Sequence, residues 1–238
     1  GDITNFFGKS IISARQFTRE DIEYLFSVAE KIEKNKEKYS SLLQGKVMAT
    51  LFFEPSTRTR LSFESSMLKL GGGVLGFSSS EVSSVKKGET LADTIRTVAN
   101  YADVIVIRHD KEGAAILAQR FSKAPIINAG SGSQEHPTQA LLDILTIKQL
   151  KGKVDGLNIG LVGDLKYGRT VHSLAYLLSL FDINLYFIIP EQLKMPGRVT
   201  DELIKKHVMY KETKKFTPTL PILDVLYMTR IQKERFAD

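Results

Sequence analysis

Apolar residues in this chain fall in short runs separated by amphipathic stretches, the alternation of buried strands and covering helices. Residues 47–53, Val-Met-Ala-Thr-Leu-Phe-Phe, are almost all apolar, as in a strand buried on both faces of a parallel sheet. Glu54-Pro55 ends the run, because proline has no N–H to donate and disfavours helix at the residue before it. A helix begins at Ser56 or Thr57, with Leu61, Met67 and Leu68 at helical spacing. Upstream, Thr18-Arg19-Glu20-Asp21 resembles a capping box, followed by an apolar stripe of Ile22, Leu25, Phe26, Ala29 and Ile32. Downstream, Gly71-Gly72-Gly73 closes the helix, and the pattern predicts strands over 74–77, 104–107 and 125–128 and helices over 91–101, 112–121 and 136–150. A polar, Gly-containing connector at 151–156 precedes a second set of strands, over 157–162, 184–189, 208–211 and 224–229, with helices over 170–181 and 195–206. The fold class this implies is α/β: two doubly wound parallel-sheet domains with a cleft between them. Their bounds are 1–135, a linking helix over 136–150, and 151–238.

Several polar residues stand where such sheets bind ligands, at the carboxyl ends of strands. Ser56-Thr57-Arg58-Thr59-Arg60 adds three hydroxyls and two guanidiniums to the free N–H groups and positive dipole end of a helix start. That combination suits a dianion such as phosphate, whereas a plain cap needs one hydroxyl and no arginine. Arg108 ends the strand over 104–107, as a ligand contact or as half of a structural ion pair. In the loop before the 136–150 helix, Pro137 suits the first helical position and puts His136 at the N-cap. A histidine there can donate to a carbonyl oxygen, and Gln139, one turn on, can bond an amide. Arg169 beside a helix start and Arg230 after the last strand are placed to hold carboxylates. The Ser- and Lys-rich stretch 78–89 is either a surface loop or a lid bringing a lysine to an anion. His109, His172 and His207 have no comparable context and read as structural or solvated.

Composition narrows the classes. Apolar content of 42% and charged content of 25% belong to a globular protein, and no apolar run nears the roughly 20 residues that span a bilayer. With no cysteine, disulfides, thiolate metal sites and a cysteine nucleophile are excluded, and a cytoplasmic location fits best. A net charge of +6 comes from basic residues spread along the chain, which suits small dianionic substrates better than nucleic acid. Gly160, Gly163 and Gly168 do not have the spacing of a dinucleotide fingerprint, so a nicotinamide cofactor is rejected.

The string Phe-x-Glu-Pro-Ser-Thr-Arg-Thr-Arg-x-Ser-Phe-Glu resembles the carbamoyl-phosphate signature of the aspartate and ornithine carbamoyltransferases. From about residue 10 onward the chain is similar to aspartate carbamoyltransferase catalytic chains. Further matching motifs are Lys86-Lys87-Gly88-Glu89-Thr90, Arg108-His109, His136-Pro137-Thr138-Gln139, the run from Gly163 to His172, and Met228-Thr229-Arg230-Ile231-Gln232. The resemblance implies transfer of a carbamoyl group from carbamoyl phosphate to L-aspartate, an early pyrimidine-synthesis step, without metal or organic cofactor. It implies that Ser56, Thr57, Arg58 and Thr59 hold the phosphate, and that Arg108, His136 and Gln139 hold the carbonyl and amide. Catalysis then falls to Arg58, Thr59, Arg108 and His136. Lys87, Arg169, Arg230 and Gln232 bind aspartate, while Ser84 (or Ser83) and Lys87 form a lid from a neighbouring subunit. Glu54 and Arg235 tie the domains on closure.

A homotrimer with active sites at subunit interfaces is expected on the same ground, with regulatory chains as possible partners and neither nucleic acid nor membrane. Ser131 and Glu135 replace the Asp and Gln more usual in the family. Such chains also continue well past the position of Asp238, so this one reads as a fragment or as part of a longer protein. The rival readings are an ornithine carbamoyltransferase, which must hold one carboxylate and one ammonium, and a carbamoyl-phosphate-binding fragment without turnover.

Overall fold

A computed structural model describes residues 6–78 and 90–230. The chain divides into two compact units, one of residues 1–16 and 20–132, the other of 17–19 and 133–238. The lid stretch with Ser83, Ser84, Lys86 and Lys87, and the terminal stretch with Gln232 and Arg235, lie outside the described residues.

The first unit holds all but the first residue of α1 (Arg19–Lys34), and β1 (Val47–Phe52), α2 (Thr57–Lys69), β2 (Gly73–Phe77), α3 (Leu91–Val98), β3 (Val104–His109), α4 (Ala114–Phe121) and β4 (Ile126–Ser131). Its strands form one parallel sheet in the order β2-β1-β3-β4. Alternation along the strands divides the core between the two faces. Ala49, Leu51, Ile105 and Ile107 pack with Ile95, Ala115 and Ala118 of α3 and α4. Met48, Phe52 and Val106 pack with Met67 of α2 and the half-buried Phe63. Thr50 is the fully buried polar residue of β1, and its hydroxyl donates to Glu64 Oε1 at 2.7 Å. A buried hydroxyl therefore keeps a partner.

The second unit holds α5 (Pro137–Lys151), β5 (Asn158–Val162), α6 (Arg169–Leu178), β6 (Asn184–Ile188), α7 (Gly197–Lys205), β7 (Met209–Thr213), the single turn α8 (Phe216–Thr219) and β8 (Val225–Met228). Its sheet is also parallel, in the order β7-β6-β5-β8. Eight consecutive residues of α6, from Val171 to Leu178, are buried, because that helix is apolar nearly all round. His172 lies among them, fully buried. Its Nε2 is 2.7 Å from the Leu165 carbonyl, and Nδ1 faces Arg198 Nη2 at 3.3 Å and the Gln134 carbonyl at 3.1 Å. A neutral ring with its proton on Nε2 donates the shorter bond and accepts from the arginine. Burial, then the Arg198 charge, hold its pKa below the ordinary histidine value.

Several boundaries differ from the sequence reading. Leu61 and Leu68 are exposed, so the buried side of α2 rests on Met67 and Phe63. β4 runs on through Ala129, Gly130 and Ser131, residues whose small, Gly-containing pattern suggests loop. α5 groups with the second unit. Among the described residues no helix is long and apolar enough to cross a membrane.

Gly163 has φ +117°, a conformation that side chains rarely adopt. A Cβ there would come within 2.5 Å of the Thr229 carbonyl oxygen, while a Cβ at Gly160 would strike Leu223. Two of the glycines that mimic a nucleotide fingerprint, Gly160 and Gly163, thus serve close packing beside β8.

Candidate functional site

The phosphate-suited residues occupy the turn after β1. Ser56 is the N-cap of α2 in extended conformation, and its Oγ accepts from the Thr59 N–H at 3.4 Å. Thr57 and Arg58 are exposed at the first turn, while Ser56 and Thr59 are half-buried. No acidic residue lies in that turn, so the positive end of the helix is not neutralised from within. Arg60 departs from the sequence reading. Its Nε bonds Glu64 Oε1 at 2.9 Å, one turn along the same helix. Of the two guanidiniums in the motif, Arg58 is the exposed one.

Arg108 is held by three partners in the first unit. Nε donates to Glu54 Oε1 at 3.2 Å, and Nη1 to Thr59 Oγ1 and to the Ala129 carbonyl, each at 3.3 Å. Its side chain is only 13% exposed. The parallel register explains the meeting, since Phe52 of β1 faces Arg108 of β3. That carries the chain past Glu54 to Ser56 at the level of Arg108. Arg108 is therefore in an ion pair, and that pair lies beside the helix start. Glu54, expected as a domain tie, here orients Arg108.

His109 turns the other way and stacks on Phe53 with ring centroids 5.1 Å apart. Its Nδ1 accepts from the Lys111 N–H at 3.0 Å and is also 3.0 Å from Asp110 Oδ1. Burial holds its pKa below the ordinary value, so we read the Asp110 contact as proximity rather than an ion pair.

In the second unit His136 is the N-cap of α5, with Pro137 at the first helical position. It is 6% exposed. Its backbone N–H donates to Ser173 Oγ at 2.9 Å, and that hydroxyl donates to Glu135 Oε1 at 3.4 Å. Glu135 thus reaches His136 through a serine hydroxyl. Ser131, the other unusual residue, accepts from Asn128 Nδ2 at 3.1 Å.

Gln139 Nε2 donates to Asp143 Oδ1 at 3.1 Å, and the Tyr227 hydroxyl donates to Asp143 Oδ2 at 2.8 Å. Burial raises the Asp143 pKa against these two bonds. Burial and then the Asp143 charge push that of Tyr227 up. The sequence reading missed both residues, although the four-residue step from Gln139 to Asp143 was a visible signal. Arg169 is the first residue of α6, and Arg230 stands exposed two residues past β8. Among the described residues no group of three or more His, Asp or Glu could hold a metal ion.

Comparison with known proteins gives the family of both units. The aspartate/ornithine carbamoyltransferase carbamoyl-P binding domain matches residues 9–149, and the Asp/Orn binding domain of the same family matches residues 155–238. The aspartate carbamoyltransferase catalytic subunit of Thermococcus onnurineus is 59% identical over 97% of this chain and 75% of its own length. That of Methanopyrus kandleri is 53% identical over 99% of this chain and 77% of its own. Among solved structures, the catalytic subunit of M. jannaschii aspartate transcarbamoylase aligns with TM-score 0.89 at 50% identity, covering 97% of this chain and 76% of that one. Aspartate transcarbamoylase from Trypanosoma cruzi in complex with carbamoyl phosphate aligns with TM-score 0.91 at 47% identity, over 96% and 74%.

Proposed function

This chain belongs to the aspartate/ornithine carbamoyltransferase family, among the aspartate carbamoyltransferase catalytic subunits, and from that premise we infer how its residues divide the work. The reaction is transfer of the carbamoyl group of carbamoyl phosphate to L-aspartate, giving N-carbamoyl-L-aspartate and phosphate. The observation that carries the division is Arg108, aimed by Glu54, Thr59 and the Ala129 carbonyl beside the Ser56–Arg58 helix start.

In the first unit Ser56, Thr57, Arg58 and Thr59, with the N–H groups of α2, bind the phosphate. The aspartate amine attacks the carbonyl carbon; a C–N bond forms and the carbonyl oxygen takes up negative charge. Thr59, Arg108 and His136 donate to that oxygen, each such donor being worth about 3 kcal/mol. As the C–O bond to phosphate breaks, Arg58 and the helix dipole stabilise the leaving dianion, which accepts the amine proton. Gln139 bonds the carbamoyl amide. Arg169, Arg230, Gln232 and Lys87 hold the aspartate carboxylates and so orient the amine. Arg235 joins Glu54 in drawing the units together on closure. These groups supply the positive charge the step needs and the leaving phosphate takes the proton, so the step as written calls on no cofactor.

Ornithine as acceptor is not favoured, because two arginines suit two carboxylates and oppose an ammonium. The matching Lys86–Thr90 motif supports a homotrimer whose lid, Ser84 and Lys87, serves a neighbouring site. The relatives' designation as catalytic subunits supports regulatory partner chains, and the cysteine-free sequence supports a cytoplasmic location. The test is carbamoyl transfer by the purified full-length protein. Rate saturating with aspartate and absent with ornithine is expected; ligand binding without turnover, or turnover with ornithine, would overturn the reading.

A further inference from the structure

Gln139 has two faces with opposite hydrogen-bonding character, and only one suits a carbamoyl group. The carbamoyl nitrogen carries two N–H donors, so the group that reads it must accept. A carboxamide accepts through its oxygen and donates through its nitrogen. Which end is presented depends on what holds the other end.

Here that other partner is Asp143. Gln139 and Asp143 are one turn apart on α5, with Nε2 to Oδ1 at 3.1 Å, and the Tyr227 hydroxyl donates to Oδ2 at 2.8 Å. Each carboxylate oxygen thus takes one donor. An ionised carboxylate accepts only, so it turns the Gln139 nitrogen inward and leaves the oxygen directed away. Tyr227 fixes the carboxylate from β8, a different element, so Asp143 does not swing with its helix alone. Ile147, Val225 and the exposed Thr146 line the groove beside the half-buried pair, with Lys151 and Asp224 at the same groove.

We propose that Asp143 is a positioning residue that sets the polarity of the Gln139 carboxamide, and thereby makes the site prefer a carbamoyl over an acyl phosphate. This rests on the reading above that Gln139 meets the carbamoyl amide. Asp143 itself touches no substrate.

The proposal makes an uncommon demand of a conservative change. In Asp143→Asn the Tyr227 hydroxyl still donates to the side-chain oxygen, which points the new amide nitrogen at Gln139. Gln139 must then rotate, offering its own nitrogen to the carbamoyl N–H groups. Acetyl phosphate, with methyl in place of the amino group, is indifferent to that rotation.

The experiment measures the KM for carbamoyl phosphate and the inhibition constant of acetyl phosphate at fixed aspartate in the full-length enzyme. D143N is expected to weaken carbamoyl phosphate at least about tenfold while acetyl phosphate moves less than about threefold. The double variant D143N with Tyr227→Phe, in which the introduced carboxamide is free to turn, is expected to regain part of the preference. Equal weakening of both phosphates, or no change in either, overturns the proposal. Should D143N not fold, the wild-type protein decides. A Gln139 side-chain ¹⁵N-amide resonance with one proton shifted downfield by the carboxylate supports it, and a pair at free-carboxamide positions overturns it. If wild-type protein shows no aspartate-dependent transfer, the functional reading fails instead, and the amide resonance still reports on Asp143.

Discussion

Replacing Gly163 by alanine tests whether the loop after β5 is built around Arg230. The backbone there has φ +117°, and an added Cβ would lie 2.5 Å from the Thr229 carbonyl oxygen and 2.8 Å from its methyl. The conformation alone costs an alanine on the order of 1–3 kcal/mol. The oxygen is backbone, not the tip of a side chain, so relief means moving Thr229 by roughly 1 Å to reach ordinary contact distance, with overpacking of about 1–3 kcal/mol. Thr229 is tied to β5 through its N–H to the Val162 carbonyl at 2.9 Å, so the shift strains the β5–β8 edge. Together these give about 2–6 kcal/mol, a large fraction of a domain's stability. Gly197 is the control: it opens α7 with nothing within 4 Å of the added carbon and no positive φ. Alanine there should stabilise by about 0.4–1 kcal/mol.

Urea unfolding of the two variants against wild type measures the difference directly. In Gly163→Ala protein that remains folded, the aspartate KM should rise, because Arg230 follows Thr229, while carbamoyl-phosphate affinity holds. A Gly163→Ala variant within about 0.5 kcal/mol of wild type and with an unchanged aspartate KM would refute the reasoning.

Other expectations follow from the division between units. Arg58→Ala should weaken carbamoyl-phosphate binding and abolish turnover, while Arg230→Ala should raise the aspartate requirement by about 1–3 kcal/mol in binding terms and spare carbamoyl phosphate; isothermal titration and steady-state kinetics separate the two, and equal damage to both substrates would count against the assignment. Mixing Lys87→Ala with Arg58→Ala chains should restore partial activity if lids serve neighbouring sites, and verified mixed trimers without recovery would falsify the shared site. His172 gives an acid-side prediction. Its folded pKa lies below its unfolded value of about 6.5, so the unfolded chain takes up the proton first. Stability is fully present above that pH and falls below it by up to about 1.4 kcal/mol per unit. Urea midpoints between neutral pH and pH 5 should show a shallower slope in His172→Gln, and an identical slope would sink the assignment.

Much of this was legible along the chain because the signals were local. The apolar run of β1, the break at Pro55 and the hydroxyl at Ser56 fixed the start of α2, and Pro137 fixed that of α5. Arg60 was counted among the motif's two guanidiniums although a helix-spacing partner, Glu64, stood four residues on. The end of β4 was missed because glycine and serine favour loops until a neighbouring strand supplies its hydrogen bonds. Tyr227 and Asp143 are 84 positions apart, and His136 and Ser173 are 37 apart. No periodicity reports on pairs made by the docking of a strand or helix against α5. Glu54 and Arg108 met only through the register of β1 against β3.

The cap of α2 is a loose one. At 3.4 Å the bond from the Thr59 N–H to Ser56 Oγ is near the outer limit for a hydrogen bond, and it occupies an amide that a bound phosphate oxygen could take instead. An arriving dianion would displace a weak internal acceptor, and the Ser56 hydroxyl, which only accepts in that bond, could donate its own proton to the same anion. On the proposed phosphate role, ligand would tighten the first turn of this helix, and the ordering of that turn would belong to the free energy of binding as much as to that of folding. Amide exchange at Thr59 and Arg60 becomes a gauge of occupancy: faster in the empty protein, slower as the anion concentration rises.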